Sequence, residues 1–165
     1  MENKRVSDSK VTTAVLMEPA DANVAGNVHG GVIMKNIDNT AAVVALRHAG
    51  SNVVTASIDR LDFHNPVYVG ELVFLKASLN RAGRSSMEVG VRVEAENPVQ
   101  GQVRHVASAY LTFVALGEDG RPRPVPGLTL EGDQERRRNA EAADRQRTRL
   151  AEKERERASR EKAGP

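Results

Sequence analysis

The residues best equipped for chemistry lie between Asp21 and His48. Asp21-Ala22-Asn23-Val24-Ala25-Gly26-Asn27-Val28-His29-Gly30-Gly31 is a polar, glycine-rich loop that runs into an apolar segment expected to be helical from about Val32 to His48. A single carboxylate interrupts that segment. Helical spacing puts Asp38 on one face with Gly31, Met34, Ala41, Ala42 and Ala45, where an unpaired charge is costly. A carboxylate held partly away from water is a better proton acceptor near neutral pH, so Asp38 reads as a general base or as a structural acid bonded to a loop. Gly30 and Gly31 fall where the helix begins. Backbone amides there lack intrahelical acceptors and sit at the positive end of the dipole, so two of them can hold an oxyanion. Asn23 carries both a donor and an acceptor for orienting reactants, and it suits a turn or a helix cap equally well. His29 is a second candidate base, but beside two glycines it reads better as a residue that positions the loop.

The elements that must position these groups follow from the hydrophobic pattern. Lys10 to Glu18 is a first strand closed by Pro19, and the helix comes after the loop. Val32, Ile33, Ile37, Val43, Val44 and Leu46 make it apolar nearly all round, the signature of a buried helix. Gly50-Ser51-Asn52 ends it. Val53 to Phe63, Glu71 to Ala82, Met87 to Asn97 and Val103 to Leu116 then read as four long strands. The short connections at Gly83-Arg84-Ser85 and Asn97 to Gly101 make the last three antiparallel neighbours. One apolar helix and one run of antiparallel strands pack compactly only if the sheet curls around the helix. That α+β arrangement leaves an open edge suited to dimerisation.

Composition narrows the function classes. The chain has 165 residues and no cysteine, which excludes disulfides, thiolate metal sites and a thiol nucleophile. No set of His, Asp and Glu has metal-ligand spacing, and the glycines match neither nucleotide fingerprint. Met1 to Lys10 is polar with no apolar run behind it, and no segment approaches the length of apolar sequence needed to cross a bilayer, so neither export nor a membrane span is expected and a cytoplasmic location is. Residues 131–165 hold 11 of the 24 Lys and Arg and 9 of the 22 Asp and Glu, leaving 13 of each sign for residues 1–130. The basic excess therefore belongs to the tail. Its interleaved charges, as in Arg137/Glu141/Arg145 and Glu156/Arg160, predict a solvated helix rather than a nucleic-acid arm, and Leu150, its only large apolar residue, is too little for a coiled coil. The expected organisation is a flexible N-terminus at 1–9, one domain at 10–128 and a charged helical tail at 129–165.

Several motifs, in order, resemble the hot-dog-fold acyl-coenzyme A thioester hydrolases: Asp21-Ala22-Asn23, Gly26 to Gly31, Ile37-Asp38, Arg47-His48-Ala49-Gly50, Gly83-Arg84-Ser85-Ser86-Met87-Glu88 and Arg92-Val93-Glu94-Ala95. The resemblance covers about residues 8 to 128 and implies hydrolysis of an acyl-CoA to a fatty acid and coenzyme A. It implies no metal or cofactor, since coenzyme A is itself part of the substrate and product. The family's catalytic asparagine and aspartate, contributed across a dimer interface, match Asn23 and Asp38. A homodimer assembled as a trimer of dimers is implied too. The phosphates of coenzyme A would need basic and small donor residues, for which Gly83, Arg84, Ser85 and Ser86 are the first candidates and Arg47, Arg60 and Lys76 weaker ones. Two other classes stay open at this point: an acyl-CoA sensor that does not hydrolyse, and an interaction protein working through the tail, where Arg136-Arg137-Arg138 is a local basic run. Neither a membrane nor a nucleic acid is the expected partner.

Overall fold

A computed structural model describes residues 1–163. The strands are β1 (Lys4–Arg5), β2 (Val11–Leu16), β3 (Val53–Phe63), β4 (Leu72–Ala82), β5 (Ser86–Asn97), β6 (Gln102–Ala115) and β7 (Leu128–Thr129). The helices are α1 (Gly30–Ala49) and α2 (Asp133–Ala163). Five strands form one antiparallel sheet in the order β2-β4-β5-β6-β3, so β2 and β3 are its edges. The alternation expected of β5 is realised: Val89, Val91, Val93 and Ala95 point inward and are at most 2% exposed. They meet Ile33, Ile37, Ala41, Val44 and Ala45 of α1 in a single core. This is the expected hot-dog arrangement.

Enclosure of α1 is incomplete. Although the helix is apolar nearly all round, Met34, Val43 and Leu46 remain 36–42% exposed, as do Val54 and Ile58 on the edge strand β3 at 42%. A five-stranded sheet covers one side of the helix and stops at β3. Met34, on the side of α1 that carries Asp38, and the unpaired β3 edge beside it form an uncovered apolar surface, while Val43 and Leu46 face away from β3.

Both termini depart from expectation. Residues 1–9, expected to be flexible, include β1, which pairs in parallel with β7, and a 3-10 turn that buries Val6 and Ser9. Lys4 Nζ donates to the carbonyls of Arg47 and His48 at 2.9 and 2.8 Å, capping the C-terminus of α1 with a cation. Beneath it His48 is fully buried. Burial holds its imidazole below the usual histidine range, and Nε2 bonds the Pro126 carbonyl at 2.8 Å.

The tail is helical as expected, apart from residues 164–165, which lie outside the described residues. Its first half, however, is docked rather than solvated. Ala142 is buried, Asn139 donates to the Asn80 carbonyl at 3.0 Å, and Arg145 donates to Glu88 at 2.6 Å while stacking 3.7 Å from the Tyr110 ring. Arg149 reaches Asp59 and Thr112. Of the anticipated pairs Arg137–Glu141 forms, at 3.4 Å, but Arg145 prefers the carboxylate on the sheet. Arg136 pairs with Asp133, so the basic run is partly neutralised within its own helix.

Glu88 is nearly buried, and its neighbours Arg145 and Asn80 are what make its charge tolerable. Arg145→Ala should therefore cost about 2–4 kcal/mol of unfolding free energy, measured by urea denaturation. Had the tail been solvated, the change would be within ~0.5 kcal/mol.

Candidate active site

The loop before α1 is a small hydrogen-bonded structure organised by Asn23. Its Oδ1 accepts from the amides of Ala25 at 2.9 Å and Asn27 at 3.2 Å, while the backbones of Asn23 and Asn27 pair at 2.7 Å. Gly26 takes a positive φ of 86° to close this turn. With its oxygen committed, Asn23 has its side-chain NH2 left for a ligand. The loop is anchored in turn, since Val28 N–H donates to the Val67 carbonyl and His29 N–H to that of Asp21, both at 2.8 Å.

Helix α1 begins two residues earlier than expected because His29 caps it. The Nδ1 of His29 accepts from Gly31 N–H at 2.9 Å. His29 is thus the loop-positioning residue its sequence context suggested, and its capping bond corrects one expectation: the Gly31 amide is not free. Gly30 N–H, by contrast, has no acceptor within the chain among the described residues. A side chain at Gly31 would meet His29 Nδ1 at 3.0 Å, so glycine is what lets this cap close.

Asn23 and Gly30 line the same cleft of about 330 Å³, walled by Val28, Ile33, Phe63 and Val67. Its mouth is held by an ion pair that the sequence did not announce. Arg104 donates to both oxygens of Glu71, at 2.6 and 2.7 Å, and to the Pro66 carbonyl at 2.7 Å, while Tyr68 N–H donates to Glu71 at 2.9 Å. Burial raises the Glu71 carboxyl, but the bonds from Arg104 and Tyr68 outweigh it and hold the group below its usual value.

Asp38 is elsewhere. It is half-buried at the margin of the helix rather than sunk in an apolar stripe, because Gly31 and Met34 of its predicted face are exposed while Ala41 and Ala45 are buried. Its Oδ1 accepts from Thr55 Oγ1 at 2.7 Å, a β3 partner that sequence reasoning missed. Eight residues of helix separate Asp38 from Gly30, or ~12 Å along the axis, so one chain does not bring acid and amide together. Gly83, Arg84, Ser85 and Ser86 form the β4–β5 turn, whose Ser85 carbonyl bonds Ala115 N–H at 2.9 Å. Ala115 pairs with Val53 at the start of β3, so the turn lies toward the Thr55 end of the sheet and the cleft lies at the Phe63 end. Arg84 is exposed with no carboxylate partner among the described residues. The weaker candidates are occupied, Arg60 by Asp62 and Lys76 by Glu94, except for exposed Arg47.

A curled sheet on one helix, with a polar loop and free amide at the helix start, defines the class. Residues 25–102 match the family described as the thioesterase superfamily, and the chain belongs to it. Within it, the chain is similar to an acyl-CoA hydrolase from Staphylococcus aureus solved with butyryl coenzyme A, coenzyme A and coenzyme A disulfide. Identity is 37%, the TM-score is 0.87, and the match covers 94% of this chain and 95% of that one. A hexameric acyl-CoA thioesterase shares 36% identity at a TM-score of 0.89, over 92% of this chain and 97% of its own. The cytosolic acyl coenzyme A thioester hydrolase of Mus musculus is 37% identical over 146 residues, which are 87% of this chain but 38% of that protein. This chain therefore spans well under half the length of that curated relative. The Staphylococcus enzyme was also solved with an asparagine, an aspartate or a threonine replaced by alanine; their separations of 15 and 17 residues equal those of Asn23, Asp38 and Thr55 here.

Because the Glu71 carboxyl is lowered in the folded state, its contribution is fully present above the unfolded value near 4.5 and is lost as pH falls through the lowered one. Wild type should accordingly lose stability steadily below about pH 4.5. Glu71→Gln, weaker at pH 7, should lose less over the same acid window in urea titrations, and parallel curves would contradict the clamp.

Proposed function

We propose that the protein is an acyl-CoA thioesterase whose active sites are each shared by two chains. The observation that carries this reading is the separation of Asp38 from the cleft that holds Asn23 and Gly30. Antiparallel pairing of two β3 edges about a two-fold axis near Asp59 would set one chain's Thr55 against its partner's Phe63. Asp38, bonded to Thr55, would then approach the partner's cleft, and the Gly83–Ser86 turn would follow on the same side. The same pairing would cover Val54, Ile58 and Met34 on the β3 side of α1.

In this site water attacks the thioester carbonyl carbon and gives its proton to Asp38. Thr55 holds one carboxylate oxygen and leaves the other for the proton. Negative charge collects on the carbonyl oxygen, where Gly30 N–H at the helix start and the Asn23 NH2 receive it. Collapse of the tetrahedral intermediate re-forms the carbonyl, breaks the carbon–sulfur bond and releases the carboxylic acid and the coenzyme A thiolate, which takes up a proton. No step calls on a metal or prosthetic group. Val28, Ile33, Phe63 and Val67 give the acyl chain an apolar wall, while Arg84, Ser85, Ser86 and the Gly83 turn suit the phosphates of coenzyme A. We place the enzyme in the cytoplasm as a homo-oligomer, built from dimers in threes; the cytosolic mouse relative and the hexameric thioesterase support these assignments.

Thiol release from butyryl-CoA and palmitoyl-CoA tests the reading. Asp38→Asn should lower kcat by roughly 10²–10⁴ with the oligomer intact, whereas Arg84→Ala should mainly raise KM. Equal kcat in wild type and Asp38→Asn would sink the base assignment.

A further inference from the structure

Helix α2 crosses the outer face of the sheet nearly at right angles to the strands. Asn139 touches β4, Arg145 touches Glu88 on β5, and Arg149 touches Thr112 on β6 and Asp59 on β3. Ten residues of helix span ~15 Å, and the three strand spacings from β4 to β3 total ~14 Å, so the two measures agree. Having reached the edge strand at Arg149, the helix continues. Residues 152–161 are all exposed and reach ~18 Å past β3, with only Glu152, Lys153 and Glu156 bordering the cleft at that edge.

Along one flank of α2 lie two clefts of about 530 and 590 Å³ that meet at Tyr110. They form one groove over the sheet, floored by Gly90, Arg92, Ser108, Tyr110 and Arg60. We propose that this groove receives the overhanging half of α2 from a second copy of the chain, so that two α2 helices lie antiparallel across the dimer as reciprocal straps. The inference rests on the β3-edge dimer proposed above. About a two-fold axis near Asp59, the partner's α2 would fall over the row beside this chain's own α2. The offset is four residues of a strand shortened by bulges at Thr55/Ser57 and Ile58/Arg60, on the order of 10 Å, which suits packed helices.

Charge fixes the register. The axis, half a strand spacing beyond β3, meets α2 within a few residues of Arg149, a stretch that includes the midpoint between Leu150 and Ala151. An antiparallel pair centred on that midpoint puts Arg149 level with Glu152, Arg145 with Glu156 and Glu141 with Arg160. Each of these pairs is of opposite sign. A shift of one residue either way destroys this. In one direction Arg145 meets Arg155 and Asp144 meets Glu156; in the other Arg149 meets Lys153 and Glu141 meets Glu161. Arg149, Glu152, Arg145, Glu156 and Glu141 all line the groove. The centre that charge selects falls within the stretch that geometry allows. A pattern that reads as solvated i, i+4 pairing in one chain is also self-complementary between two.

The test is hydrogen exchange on the full-length protein, together with a cross-link. Amides of residues 152–161 should exchange at least roughly 100-fold more slowly than an unsupported helix end, and Glu156→Lys should abolish that protection. Since the chain has no native cysteine, Thr148→Cys reports cleanly: a short bismaleimide should give covalent dimers, and none with Val99→Cys on the distant β5–β6 turn. Fast exchange at 152–161 and no cross-link, in protein that elutes as a dimer or larger and hydrolyses acyl-CoA, would overturn the strap and leave the shared active site standing. Elution as an active monomer would overturn both. Protection that appears only when ATP is added as a polyanionic probe would assign the groove to an anion and overturn the strap.

Discussion

Eight residue steps of rigid helix run from Gly30 to Asp38, and at ~1.5 Å per step no rearrangement of side chains closes that distance. The rest of the structure follows from this rod. Its N-terminus presents the amide at the cleft, its middle presents the acid against Thr55, and Met34 on that same side is left uncovered where the sheet ends at β3. A second copy paired on that edge would answer all three conditions at once. Met34 would be covered, the edge would be paired, and an acid would arrive at each cleft.

Much of this was legible in the sequence because its signals are local. The period-2 run in β5, the apolar helix and the glycine loop before it are patterns of neighbouring residues, and each element lies where the pattern put it. Residues whose roles depend on distant partners were not legible. Thr55 was one polar residue in an alternating strand, Arg104 and Glu71 lie 33 positions apart, and Arg145 had an obvious partner in Glu141 until the fold offered Glu88. The flexible N-terminus fails for the same reason, since β1 is held by β7 from the far end of the domain. His29 shows the opposite case. Its cap on Gly31 is a bond between residues two apart, yet it consumes a donor that spacing alone had left free.

Ion pairs here are placed where a carboxylate is already desolvated. Glu71 and Glu88 are 5% and 6% exposed, and each receives an arginine from a remote strand or helix. A surface pair such as Arg136–Asp133 contributes little by comparison. The buried pairs tie the Pro66–Tyr68 loop to the cleft mouth and α2 to the sheet, so they act on the position of elements more than on total stability.

The central claim is that neither chain owns a complete active site, and mixing two inactive variants tests it most directly. Asn23→Ala and Asp38→Ala proteins, unfolded together and refolded in equal amounts, should form mixed dimers in half of the molecules. Each mixed dimer has one site with both native residues, so thiol release should recover to about a quarter of the wild-type rate. Recovery no greater than the sum of the two variants alone, in protein shown to have exchanged subunits, would contradict the account.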